Sequence, residues 1–125
     1  MASAKPTDME MQILSVLYEN GPATARSVLE SMPDGKSRAY TTILSTLQVM
    51  EKKGLLRHET RGKAHVFRPA RSRKQVMGPF VKKVVTEIFA GKPAAMMQAL
   101  LADEKLSTDE IADIRQMLDR IENKS

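Results

Sequence analysis

Apolar residues in the first third of the chain recur at three- and four-residue intervals, and each run is bounded by residues that start or stop helices. Met9, Ile13, Val16 and Leu17 fall on one face of a helix. The capping box Thr7-Asp-Met-Glu10 before them and the breaker Asn20-Gly-Pro22 after them place that helix at about residues 8–19. Ala25, Val28, Leu29 and Met32 repeat the pattern behind a Thr24 cap, and Pro33-Asp-Gly35 ends it in a turn. After a basic loop, Lys36-Ser-Arg38, residues 40–53 form a third helix. Ile43, Leu47 and Met50 lie on one side of it, and Thr41, Ser45, Gln48 and Lys52 on the other, with Gly54 as a left-handed cap.

The period then changes from helical to alternating. Residues 55–59 and 64–68 read as two short strands around Thr60-Arg-Gly-Lys63. With Thr60 facing Lys63, Leu56 pairs with Phe67 and His58 with His65 on one face, while Arg57, Val66 and Arg68 take the other. The basic stretch Arg71-Ser-Arg-Lys74 reads as a linker. Beyond it Phe80, Val84 and Ile88 continue a wide apolar stripe begun at Val76, and Met96, Met97, Leu100 and Leu101 form the buried side of a further helix. Ser107-Thr-Asp-Glu110 caps a last helix with Ile111, Ile114, Leu118 and Ile121 along one seam.

These elements predict a mainly α fold with a small β-hairpin. Residues 1–74 form an N-terminal winged helix-turn-helix DNA-binding domain, and residues 75–125 a C-terminal three-helix dimerisation region. So short a helical segment exposes too much apolar surface to stand alone, so a second copy is the expected cover for Phe80, Val84, Ile88, Ile111, Ile114, Leu118 and Ile121. Folding back onto the N-terminal domain is the monomeric alternative.

Charge sharpens the picture. Residues 1–74 hold 13 Lys and Arg against 7 Asp and Glu, a net of +6, whereas residues 75–125 hold 7 against 8. The positive excess thus accompanies the third helix, as a double-stranded DNA partner requires. Polar side chains of modest length on that helix suit the major groove, where glutamine pairs with adenine and a threonine methyl packs on thymine. Arg38, Lys52, Lys53, Arg61 and Lys63, with Arg71 and Arg73, are the candidate phosphate contacts.

With no cysteine in the chain, disulfides, thiolate metal sites and cysteine nucleophiles are excluded. His58 and His65 lack further ligands in the sequence, and no phosphate loop or nucleophile with a base is present. Neither metal, cofactor nor catalysis is expected. No apolar run is long enough for membrane insertion, and the expected location is the cytoplasm. Two other readings stay open: a winged-helix sensor of a small ligand, and a winged-helix protein–protein interaction module.

The motif Tyr40-Thr-Thr-Ile-x-x-Thr-Leu-x-x-Met-x-x-Lys-Gly-Leu55 resembles that of the penicillinase-repressor family, which includes copper-responsive members. Glu10-x-x-Ile-Leu-x-x-Leu-Tyr18, Gly62-Lys-Ala-His-Val-Phe-x-Pro69 and Leu106-Ser-x-Asp-Glu-Ile111 extend the likeness over nearly the whole length. The resemblance implies a dimeric bacterial repressor on an A/T-containing inverted repeat, with Thr41, Thr42, Ser45 and Thr46 reading the operator. By the helical wheel, Thr46 lies on the flank of the core instead. The cysteines of the copper-responsive members are missing here. Where antibiotic-responsive members are cleaved under a membrane sensor protease, this chain has Ala99-Leu100, so that partner is implied by the resemblance alone. Position 18, often tryptophan in the family, is Tyr18.

Overall fold

A computed structural model of the chain describes residues 6–33, 38–102 and 105–124. The turn expected at Asp34-Gly35 and the basic loop residues Lys36 and Ser37 lie outside them. Three helices come first, α1 (Asp8–Asn20), α2 (Ala25–Ser31) and α3 (Tyr40–Lys52). Strands β1 (Leu56–Arg61) and β2 (Ala64–Pro69) follow, then α4 (Arg73–Glu87), α5 (Pro93–Ala102) and α6 (Thr108–Asn123). The architecture is mainly helical with one antiparallel hairpin, and its first five elements make a winged helix-turn-helix.

Local chemistry sets the helix ends. At α1 the Thr7 hydroxyl accepts from the Glu10 amide while the Glu10 carboxylate accepts from the Thr7 amide, completing the capping box. Thr24 caps α2 through the Ser27 amide, and Ser107 caps α6 through that of Glu110. At the far end of α3, Gly54 takes φ +82°. Its N–H donates to the Glu51 carbonyl and that of Leu55 to Met50, a Schellman closure that glycine allows without strain.

The chain divides into two compact units, Met1–Phe80 and Val81–Ser125. In the first, Ile13, Leu17, Val28, Ile43, Leu47, Met50, Leu56 and Phe67 are almost wholly buried together. Val76 and Met77 of α4 also pack into this core, so the unit runs past the basic stretch at residues 71–74. That stretch is not a linker. The Ser72 hydroxyl accepts from the Gln75 amide and the Gln75 side chain accepts from the Ser72 amide, so a capping box starts α4 within it.

Hairpin pairing differs from the sequence expectation by two residues. Arg61 faces Ala64, Thr60 faces His65, His58 faces Phe67 and Leu56 faces Pro69. Gly62 at φ +62° heads a two-residue turn, Gly62-Lys63, in place of the expected Arg61-Gly62, and moving the turn by one residue shifts every cross-strand partner by two. A slip of two preserves the pleat, so Leu56, His58, His65 and Phe67 still share a face. Ala23, between α1 and α2, bridges Phe67 in both directions at 3.0 and 2.8 Å and fastens the hairpin to the helices.

In the second unit, no residue of α5 or α6 is buried. Met97, Leu100, Leu118 and Ile121 are exposed, contrary to the buried side expected for α5, because no other element of this unit covers them. They border an apolar groove of about 600 Å³ between α5 and α6. No helix among the described residues is long and apolar enough to cross a membrane.

Candidate nucleic-acid interface

Thr41, Thr42, Ser45, Gln48 and Lys52 are exposed along α3, opposite the fully buried Ile43, Leu47 and Met50. None of the five is acidic. Ser45 donates its hydroxyl to the Thr42 carbonyl at 3.1 Å, which leaves its oxygen lone pairs outward. Thr46 is half-buried, its hydroxyl 2.7 Å from the Thr42 carbonyl and 3.4 Å from the Met9 sulfur of α1. It therefore sits on the core flank, apart from the outward row.

Arg61 and Lys63 are both exposed and flank Gly62 at the hairpin tip. Lys63 and Gln48 line one cleft, which brings the tip alongside the outward face of α3. Arg38, at the start of α3, is half-buried and already has a partner. Arg61 stands 3.9 Å from the Glu59 carboxylate, too far for a hydrogen bond, and Arg68 takes that carboxylate at 3.2 Å.

Two nominated cations are occupied elsewhere. Lys53 places its ammonium 2.9 and 3.0 Å from the two carboxylate oxygens of the buried Glu10, joining the end of α3 to the start of α1. Burial pushes the Glu10 pKa up, but the Lys53 ammonium and the Thr7 amide outweigh it and hold the carboxyl below its ordinary 4.5. Arg73 lies 2.6 Å from Glu19 with its guanidinium over the Tyr18 ring at 5.2 Å, tying α4 to α1. The Tyr18 hydroxyl donates to the Arg71 carbonyl at 2.9 Å. Burial raises the Tyr18 pKa, with Arg73 opposing. Lys53 and Arg73 thus act as structural ties.

On the shared face of the hairpin Phe67 is buried but His65 is exposed, its ring stacked on that of His58 at 4.4 Å. Glu51, from the last turn of α3, reaches His58 Nδ1 at 2.6 Å, a carboxylate that residue spacing did not reveal. Among the described residues no cluster of three or more metal-ligating side chains forms.

Comparison with known proteins shows the family. The model of the penicillinase repressor family matches residues 6–120. The chain belongs to the penicillinase repressor family. It is 21% identical over 118 residues to the penicillinase repressor of Bacillus licheniformis, covering 94% of this chain and 92% of that protein. It is 26% identical over 118 residues to the transcriptional regulator BlaI of Mycobacterium tuberculosis, covering 92% and 83%. A solved structure, the transcriptional regulator Tm0710 from Thermotoga maritima, aligns over 91% of this chain and 77% of its own with 16% identity and a TM-score of 0.44. Members of the family are transcriptional repressors rather than enzymes, and this chain is a DNA-binding transcriptional repressor.

Proposed function

We propose that two copies of the chain form a homodimer in the cytoplasm, set their α3 helices against an inverted repeat containing A·T pairs, and repress the promoter that carries it. The observation that carries this reading is an exposed, acid-free face on α3 beside a cationic hairpin tip, in a chain of a repressor family. Thr41, Ser45 and Gln48 read base edges, with Thr42 beside them. Arg38, Lys52, Arg61 and Lys63 hold phosphates and set the register.

The exposed apolar residues of the C-terminal unit support dimerisation. Ile88 is 74% exposed, and on α6 Ile121 is 67% and Leu118 59% exposed, large apolar side chains that an interface would take out of water. Val84, Ile111 and Ile114 of the same unit, and Phe80 at the end of the first, are the other residues assigned to the contact with the second copy. The α5–α6 groove would serve the alternative reading as a ligand site, and a dimer that fills it leaves no such room. A sensor protease remains a partner by family likeness; cleavage at Ala99-Leu100 would require α5 to unwind first, since a protease takes its substrate extended.

Thr41→Ala and Gln48→Ala test the base-reading assignment. Each is expected to weaken binding to a duplex selected from a random pool by the protein itself, by roughly 5- to 150-fold, from about 1–3 kcal/mol per good base contact. Binding to unselected duplex should be unchanged. Equal losses on both DNAs in fluorescence anisotropy would sink the assignment.

A further inference from the structure

Among the described cations of the winged unit, one from outside α3 and the hairpin sits on an aromatic ring with no carboxylate beside it. Lys53 is held by Glu10, Arg73 by Glu19 and Arg68 by Glu59. Arg26, an exposed residue of α2, differs from all three. Its guanidinium carbon lies 5.0 Å from the centroid of the Tyr40 ring, and among the described residues no carboxylate pairs with it. A ring face orients the guanidinium plane without neutralising it, and the five N–H donors at the edge of that plane stay available.

Arg26 also occupies a shaped place. With Tyr40, Gln48, Lys63 and His65 it lines a cleft of about 440 Å³ bounded by α2, α3 and the hairpin. Leu44, Phe67, Ala25 and Ala64 contribute apolar surface to that cleft, and none of its lining residues is acidic. When α3 lies in a major groove and a hairpin tip reaches the neighbouring backbone, the DNA strand bordering that groove must pass between them. The cleft lies between α3 and the hairpin. Its cationic, acid-free lining suits phosphate, and its apolar surface suits the edge of a deoxyribose.

We propose that this cleft carries the DNA backbone, with Arg26 as a phosphate contact from α2 and Tyr40 as the positioning residue that holds its guanidinium in place. The proposal rests on the DNA-binding reading above and adds a third element to the interface. Because a phosphate contact is blind to base identity, Arg26 contributes to affinity on every sequence. Being held in advance, it loses less side-chain freedom on binding than a mobile lysine does.

The test is fluorescence anisotropy of the full chain with selected and unselected duplexes across a KCl titration. Arg26→Gln is expected to weaken both DNAs by the same factor and to flatten the slope of log K against log salt by about 0.9 per subunit. That corresponds to roughly eightfold per contact between 1 M and 0.1 M salt. Tyr40→Phe keeps the ring and should bind as wild type, whereas Tyr40→Leu should weaken both DNAs. Arg26 is exposed, so the thermal midpoint of its variant should not move.

An unchanged salt slope in Arg26→Gln, beside steep salt dependence in wild type, overturns this inference and leaves the DNA-binding reading standing. A loss confined to the selected duplex would make Arg26 a base reader and overturn it as well. Displacement of the duplex by inorganic phosphate at matched ionic strength would mark a small-anion site instead. If wild type binds neither duplex, both readings fall together.

Discussion

Leu118→Asp combined with Ile121→Asp is expected to leave the protein monomeric in light scattering and to weaken operator binding by roughly 10²- to 10⁴-fold, the range that linking two binding modules supplies. Both side chains stand on the exposed seam of α6, at 59% and 67% exposure, and neither contributes to the buried core of the winged unit. Two carboxylates there cost the isolated chain little. Across an interface between copies they would be desolvated without a partner, which such an interface does not tolerate. Each reading head would keep its contacts but lose the second head tethered beside it. Operator binding should then acquire a half-site salt slope. A dimer that survives both substitutions, or a monomer with wild-type operator affinity, would remove α6 from the assembly.

The second large effect concerns stability. Lys53→Met is expected to destabilise the winged unit by roughly 2–3 kcal/mol near pH 7, because it strands the Glu10 carboxylate in the core. The figure lies at or below the bottom of the range for buried pairs because the Lys53 side chain is 37% exposed and water already shares its charge. In a unit of this size that corresponds to roughly 10–20 °C in thermal midpoint. Folding holds the Glu10 carboxyl below its ordinary 4.5, so the folded state takes up this proton less readily than the unfolded chain. The stabilisation is therefore full above 4.5 and is lost as pH falls through the lower folded value. Without Lys53 the buried carboxylate prefers to be protonated, and the gap between variant and wild type should narrow on acidification. Thermal melts followed by circular dichroism from neutral to acid pH check both points. A gap independent of pH would mean that Lys53 contributes packing rather than charge.

Lys53 also illustrates where the sequence misleads. Beside Lys52 at the end of a helix with a polar face, it reads as one of a pair of phosphate contacts. Glu10, the residue that engages it, lies 43 positions earlier, where it reads as half of a capping box. It is both. Arg73 is alike, committed to Glu19 across 54 positions. The capping box of Ser72 and Gln75 was by contrast present in the sequence as a three-residue spacing, hidden by the basic residues around it. In the sequence α2 is marked only by its apolar positions, and nothing local to it points from Arg26 to Tyr40.

The sequence by itself determined what short-range geometry controls. Helical period and one- to four-residue capping interactions settle that α1, α2, α3 and α6 exist, where they begin, and that Ile43, Leu47 and Met50 face the core while Thr41, Ser45 and Gln48 face out. The pleat likewise settles which face of the hairpin carries Leu56 and Phe67. Only the tertiary structure decided the two-residue register set by the Gly62 turn, the bridge from Ala23 to Phe67, and which cations remain unpaired. Those depend on approaches between segments tens of residues apart, and a charge acquires or keeps its freedom only when the rest of the fold has chosen its neighbours.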